Sequence, residues 1–207
     1  MAKQESPLQA LAAYLPEGSF PMVERYLLDH HVHLTITRSR ATLLGDYRPA
    51  HRGRNHRISV NGDLNRYAFL ITLLHELAHL LTFLQHGNAV AAHGREWKSM
   101  FGNMLSRFIA SDIFPEPIRK ALAASLDNPA ASSCADVELM RVLRSYDPQR
   151  PGRCLVEDLA PGTRFQIAGG RVFRRGAAQR KRIRCTEEPS GRIYLFSPVY
   201  EVEKMEG

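Results

Sequence analysis

The sequence predicts an α+β protein built in two parts, and three observations predict it. Residues 1–150 mix helical periodicity with a few short alternating runs, the pattern of helices packed on a small sheet. From Arg153 onward the texture changes to short alternating runs separated by Gly and Pro, as in a small β-rich module. Between the two, PQRPG at 148–152 marks a boundary. Domains are therefore expected at 1–150 and 151–207, and a chain of 207 residues can bury one substantial core and one smaller one.

The elements follow in order. Ser6-Pro7 ahead of LQALAAYL predicts a helix start, with Ser6 as the cap and Pro7 in the first turn. A second helix is expected from Pro21 to His30. VHLTITRSR alternates apolar and polar residues as a strand does, ATLLGDYR is a second strand, and HRISVNG a third, closed by the turn signal Asn61-Gly62. A long helix is expected from about Asn65 to His86, stopped at Gly87. After the connection NAVAAHG, the run REWKSMFGNMLSRFI resumes helical spacing, with Trp97, Phe101, Met104, Leu105 and Phe108 on its apolar face. FPEPIRKALAASL is a further short helix, DNPAASS a linker by composition, and CADVELMRVLRSYD a short amphipathic helix. Beyond Arg153, TRFQIA, RVFRR, KRIRCTE, RIYLFSP and YEVE read as strands.

The long helix contains ITLLHELAHLLTFL, two histidines and a glutamate in a run that is otherwise mostly leucine. At 100° per residue, Leu70, Leu73, Leu74, Leu77, Leu80, Leu81 and Leu84 share one broad arc, while Thr72, His75, Glu76, His79 and His86 form a polar stripe opposite. An unpartnered polar group in a core costs a few kcal/mol, so the stripe needs a reason. His75-Glu76-x-x-His79 on a helix supplies one: two imidazoles one turn apart hold a zinc ion, and the glutamate serves a water on it.

Zinc needs a third protein ligand. His86 is seven residues beyond His79, about 10 Å along the axis at 1.5 Å per residue, and is out of reach. His93 lies across a glycine break, so the chain can fold back and present it, and Gly94 permits a tight approach. Glu96 competes for the role. His93 is favoured, which leaves Glu96 to orient a ligand imidazole through its other nitrogen. The HRISVNG strand, just ahead of the helix, is a candidate to pair with an extended substrate.

The net charge of +7 is uneven. Residues 38–57 carry Arg38, Arg40, Arg48, Arg52, Arg54 and Arg57 against Asp46 alone. Residues 171–184 carry Arg171, Arg174, Arg175, Arg180, Lys181, Arg182 and Arg184 with no acid at all. Such clusters suit a nucleic-acid partner or a solvated basic face equally. Phe165, Phe173, Tyr194, Phe196 and Tyr200 on neighbouring strands either offer stacking surfaces for single strands or form the core of the small module. The three cysteines, Cys134, Cys154 and Cys185, are widely spaced with no C-x-x-C, which fits a reduced, cytoplasmic setting. The N-terminus lacks the pattern of a secretory signal, and the apolar run at 68–84 is broken by His, Glu and Thr, so no membrane span is expected.

HELAH followed by His93-Gly94 and Trp97 resembles the SprT-like metallopeptidases, whose pattern is H-E-x-x-H, then H-G, then an aromatic. The upstream order resembles them too, with arginine-bearing strands and HRISVNGDL leading into the helix. The similarity covers roughly residues 20–110. It implies a zincin-like minimal metallopeptidase domain, a small sheet packed on the HExxH helix. It also implies one Zn2+ per chain on His75, His79 and His93, Glu76 as catalytic base, and a protein or peptide substrate. The eukaryotic relatives, the Spartan proteases, cleave proteins crosslinked to DNA and are activated by DNA, which makes DNA a candidate partner here. Many members end in a cysteine-rich zinc ribbon. This chain does not, so residues 151–207 are either a ribbon that lost its metal and kept its strands or an unrelated module. The competing expectation is a nucleic-acid-binding protein with a structural or vestigial zinc site, against which the retained Glu76 argues.

Overall fold

The computed structural model describes residues 6–40, 43–126, 129, 136–148 and 151–205. Most of the expected DNPAASS linker, Cys134, and residues 149–150 of the boundary segment lie outside them. The chain divides into two compact units, Met1–Asp147 and Pro148–Gly207. Both helices and sheets are present, so the protein is α+β.

The first unit opens with a 3-10 helix, Leu8–Tyr14, whose N-cap position is taken by Pro7 with no side-chain cap bond. The expected Ser6 cap is therefore absent, and the turn is held by Leu11 and Leu15 in the core. Helix α1, Phe20–Asp29, carries Pro21 in its first turn, where a missing N–H costs nothing. Three strands follow: β1 His33–Thr37, β2 Gly45–Arg48 and β3 Arg57–Asn61. Their order is β1-β3-β2, with β3 parallel to β1 and antiparallel to β2.

Strand β3 is thus central and paired on both sides. It has no edge to offer a substrate, contrary to the expectation for HRISVNG. The edges of the sheet are β1 and β2, and β2 is the one that lines the histidine cleft. Of the expected strand ATLLGDYR, Ala41 and Thr42 lie outside the described residues, and Leu43 and Leu44 precede β2, where Arg40 and Asn61 fasten the chain. The Arg40 guanidinium donates to Asn61 Oδ1 at 2.8 Å and Ser59 Oγ at 3.0 Å, and Asn61 Nδ2 donates to the Leu43 carbonyl at 3.2 Å.

Helix α2, Arg66–His86, begins where Asn65 accepts the Ala68 N–H at 2.9 Å and ends at Gly87, whose φ of 59° turns the chain back. The two-faced helix expected from its periodicity is covered nearly all round. Between Phe69 and Leu80 only His75 and His79 escape burial. Strands β2 and β3 pack on one side and the next helix on another, so Thr72 and Glu76 are as buried as the leucines. Leu84, assigned to the core arc, is 49% exposed in the last turn. By length and composition α2 is long and apolar enough to cross a membrane; here its apolar surface packs inside the unit.

Helix α3, Arg95–Ala110, buries Trp97, Phe101, Met104, Leu105 and Phe108, the face its spacing predicts. Helices α4, Glu116–Ala123, and α5, Val137–Arg144, pack on each other. Asn65 Nδ2 donates to the Leu143 carbonyl at 2.9 Å and to Asp147 Oδ1 at 2.6 Å, tying the start of α2 to the end of α5.

The second unit is one antiparallel sheet of β4 Arg153–Leu155, β5 Arg164–Gln166, β6 Val172–Gln179, β7 Arg182–Glu188, β8 Ile193–Phe196 and β9 Glu201–Lys204. The spatial order is β4-β9-β5-β6-β7-β8. Its core holds Val156, Phe165, Phe173, Ile183, Cys185 and Val202, with Tyr194 and Phe196 packed edge-on against Phe173. Of the aromatics weighed as stacking surfaces, Phe165 and Phe173 are fully buried, and Tyr200 is 40% exposed. Phe165 and Phe173 are therefore core, Tyr194 and Phe196 pack against it, and Tyr200 lies at its exposed margin against Phe196.

Candidate metal centre

The spacing of His75 and His79 puts both imidazoles on one side of α2, one turn apart. The third arrives by reversal of the chain. Gly87 turns it back, and a tight turn closed by the Gly94 N–H on the Ala91 carbonyl at 3.0 Å sets His93 over the pair. A Cβ at Gly94 would meet that carbonyl at 3.2 Å and the Ala91 Cβ at 3.3 Å, so the turn is tightly packed at this glycine.

The three Nε2 atoms converge. His75 to His79 is 3.2 Å, His79 to His93 is 3.0 Å, and His93 to His75 is 3.3 Å. Three mutually facing ring nitrogens cannot all be satisfied by hydrogen bonds, since a neutral imidazole has one N–H and each proton has one best acceptor. Tetrahedral zinc with Zn–N bonds of about 2.0–2.1 Å requires N···N separations of about 3.3 Å. The trio fits that requirement, and these three residues can hold a metal ion. The residues suit zinc rather than a hard, oxygen-seeking cation.

Electrostatics agree. Burial, followed by the charges of the other two rings, pushes the His75 pKa down to about 3. Burial and His93 push His79 down to about 4. His93 is lowered by burial and by Lys98. The imidazoles are neutral and present lone pairs to the space between them. Trp97, fully buried, backs the whole trio, with ring centroids 4.6, 5.2 and 4.7 Å from those of His75, His79 and His93. Sequence reading noticed this aromatic as part of a pattern and missed its place as the wall behind the rings.

Glu76 is 6% exposed. Burial and, after it, Asp46 push its pKa up to about 8, while Arg40 pulls it down. Its carboxylate fits because residue 45 is glycine: a Cβ there would lie 2.5 Å from Glu76 Oε1 and 2.8 Å from Thr72 Cγ2. Gly45 was missed, and the only signal was a glycine at the start of a strand.

A cleft of about 470 Å3 opens over the centre, with Gly45, Asp46 and Tyr47 on the β2 side and His75, Glu76 and His79 at its floor. Tyr47 donates its hydroxyl to His56 Nδ1 at 3.0 Å, and burial holds its pKa above the ordinary tyrosine value. Glu96 is outside the cluster and makes no hydrogen bond to the histidines; its carboxylate lies against Gly94. His86 ends α2 apart from the trio.

The seven basic residues of 171–184 separate into two groups. Arg171 pairs with Glu187 at 2.6 Å and covers the Tyr194 ring, Arg174 pairs with Glu188 at 2.8 Å, and Arg175 donates to the Gly176 carbonyl at 2.9 Å. Arg180, Lys181, Arg182 and Arg184, on the β6–β7 hairpin, make no ion pair among the described residues. In the first unit Arg40 and Arg48 are likewise engaged, the latter with Asp46 at 2.7 Å.

Searches of the curated proteins and of the solved structures return no match. The family model described as SprT-like matches residues 22–112, a span that runs from α1 past the end of α3 and contains His75, Glu76, His79 and His93; it is the same family that the HELAH and His93-Gly94 motifs resemble.

Proposed function

We propose that the chain is a zinc-dependent endopeptidase whose first unit is a zincin-like catalytic domain. The observation that carries this reading is the convergence of three neutral imidazole Nε2 atoms within 3.0–3.3 Å, beside a buried carboxylate, at the floor of a cleft. Zinc bound there supplies the Lewis acid that polarises a peptide carbonyl and eases deprotonation of water. The chain's own part is fourfold. His75, His79 and His93 fix the ion, and Trp97 holds their rings. Glu76 accepts the proton of the attacking water on its carboxylate and returns it to the departing amine. The free edge of β2 aligns an extended polypeptide by strand pairing, the role first expected of β3.

A second feature supports a link to nucleic acid. Four hairpin cations without carboxylate partners form the kind of surface that neutralises phosphates. The peptidase then acts on DNA-associated proteins, in the reduced cytoplasmic setting that suits the free thiols of Cys154 and Cys185. The alternative, a nucleic-acid-binding protein with an idle zinc site, leaves the Glu76 carboxylate without a use.

The deciding experiment measures zinc per chain and hydrolysis of an unfolded protein substrate for the parent, Glu76→Gln and His93→Ala. The expectation is about one zinc in the parent and in Glu76→Gln, zinc loss in His93→Ala, and a rate about 10²–10⁴-fold lower in Glu76→Gln. Full activity in Glu76→Gln would refute the assignment of the base. Retention of zinc in His93→Ala would refute the three-histidine site.

A further inference from the structure

Strand β8 forms one edge of the second unit's sheet. The Glu187 N–H donates to the Arg192 carbonyl at 2.8 Å, and the same register continues through Cys185 opposite Tyr194. Hydrogen-bonded and non-bonded pairs alternate in an antiparallel ladder. Tyr194 and Phe196 therefore turn their N–H and C=O groups to β7, and Ile193 and Leu195 turn theirs outward. No backbone hydrogen bond reaches Ile193 or Leu195 from that side among the described residues. The other edge strand, β4, is three residues long and carries Arg153, paired with Glu201 at 3.2 Å. Shortness and charge keep an edge from recruiting another chain. The β8 sequence, Ile-Tyr-Leu-Phe, has neither charge nor proline.

The side chains beside this edge are apolar and basic. Ile193 and Leu195 are 53% and 55% exposed, on the sheet face opposite the core. Leu195 stands in register with Arg184 of β7, which is exposed and makes no ion pair among the described residues. Along β6, β7 and β8 the one carboxylate on that face is Glu188, taken up by Arg164 at 3.1 Å and Arg174 at 2.8 Å. A residue on a strand laid against β8 would stand two strand spacings, about 10 Å, from the Arg184 backbone. A glutamate and an arginine side chain together span that distance.

We propose that β8 is a docking edge for an extended acidic polypeptide segment, which joins the sheet as a further strand, with apolar side chains against Ile193 and Leu195 and a carboxylate on Arg184. A polypeptide fits the edge better than nucleic acid does. The outward N–H and C=O groups match a peptide backbone, and the aliphatic side chains give a base no aromatic face. A second copy of the chain fits less well, because two joined β8 edges would set two Arg184 side chains on a surface to which neither Ile-Tyr-Leu-Phe strand brings an acid. The proposal is independent of the peptidase reading.

The probe is a fluorescein-labelled octapeptide with Thr at odd positions and Val and Glu alternating at even ones, so that one face of the extended peptide carries both apolar and acidic groups. Titrated with the full chain by fluorescence anisotropy, it is expected to bind at least tenfold tighter than the same peptide with Lys for Glu. N-methylation of one alternate set of its residues is expected to abolish binding, and of the other set to leave it within about twofold, because only every second amide of an added strand faces its neighbour. Arg184→Glu is expected to reverse the preference from Glu to Lys. Leu195→Pro is expected to weaken binding at least tenfold. It removes an N–H that faces outward, so the far-UV circular dichroism of the sheet is retained. No binding of the octapeptide overturns the proposal, and so does binding that neither methylated set disturbs. Equal binding of the Glu and Lys peptides overturns the choice of acidic segments. Dimerisation in sedimentation velocity that Leu195→Pro abolishes, with no peptide bound, gives the edge to a second copy. Oligothymidylate binding lost in the same variant, again with no peptide bound, gives it to nucleic acid.

Discussion

Glu76 and Gly45 occupy one small space, and the consequence is measurable at a single methyl group. In Gly45→Ala the new Cβ would meet Glu76 Oε1 at 2.5 Å, Glu76 Cγ at 2.9 Å and Thr72 Cγ2 at 2.8 Å, all closer than real Cβ contacts. Helix α2 is buried around this point, so either the carboxylate turns away or β2 lifts. If Glu76 is the base and the substrate lies on β2, as proposed, both move the one relative to the other, and a displacement of about 1 Å costs on the order of 10²-fold in rate. The expected result for Gly45→Ala is unchanged zinc stoichiometry with kcat/KM reduced at least tenfold, measured on the same preparation. Wild-type kcat/KM would show that the carboxylate does not need that space. This residue also marks the limit of sequence reading at its scale. His75 and His79 were legible because i,i+4 spacing is local, and His93 because a glycine break next to it lets the chain return. Gly45 acts across the sheet-helix contact, and nothing within five residues of it announces Glu76.

Helix α2 was bounded correctly from its ends and misjudged along its sides. Asn65 and Gly87 are terminal signals with local mechanisms, an acceptor for a free N–H and a residue that tolerates positive φ. Which faces become buried depends on what arrives to cover them, and the 3.6-residue pattern could not show β2 lying over Thr72 and Glu76. The same reasoning applies to Leu43 and Leu44, kept out of β2 by side-chain bonds from Arg40 and Asn61 that no propensity describes. Asn65 does more than cap, since it also donates to Leu143 and Asp147 on the far side of the unit. Asn65→Ala is therefore expected to destabilise by about 2–3 kcal/mol, a cap of about 1 plus a lost bond to a charged group of about 1.5–3 partly made good by water. Urea unfolding followed by far-UV circular dichroism checks this. Asn65→Ser, which keeps an acceptor at the cap and loses the longer reach, is expected to recover only the first part. Full recovery by serine would mean that the bonds to α5 contribute nothing.

At the scale of the molecule, the division into a mixed helical unit and a β-rich unit follows from composition, because alternation and helical period differ in kind. Strand order does not: β4 at Arg153–Leu155 pairs with β9 at the other end of its unit, a long-range choice set by how Val156, Phe165 and Val202 share one core. The basic tract shows the same division. Its charge was plain in the sequence, whereas the partners Glu187 and Glu188 are brought beside Arg171 and Arg174 only by the β6–β7 pairing. That sorting changes the expected strength of any contact with nucleic acid. Seven phosphate contacts would give a log–log salt slope of about −6 on duplex DNA, and the four cations left on the hairpin, Arg180, Lys181, Arg182 and Arg184, give about −3.6. Titrating a labelled duplex with the full chain at several KCl concentrations measures the slope. Arg180→Glu/Lys181→Glu should weaken binding and flatten the slope to about −2 or less. A slope near −6 in the parent would mean that DNA draws Arg171, Arg174 and Arg175 away from their partners. A slope near zero would remove the phosphate backbone as a ligand and leave the hairpin as a solvated basic surface.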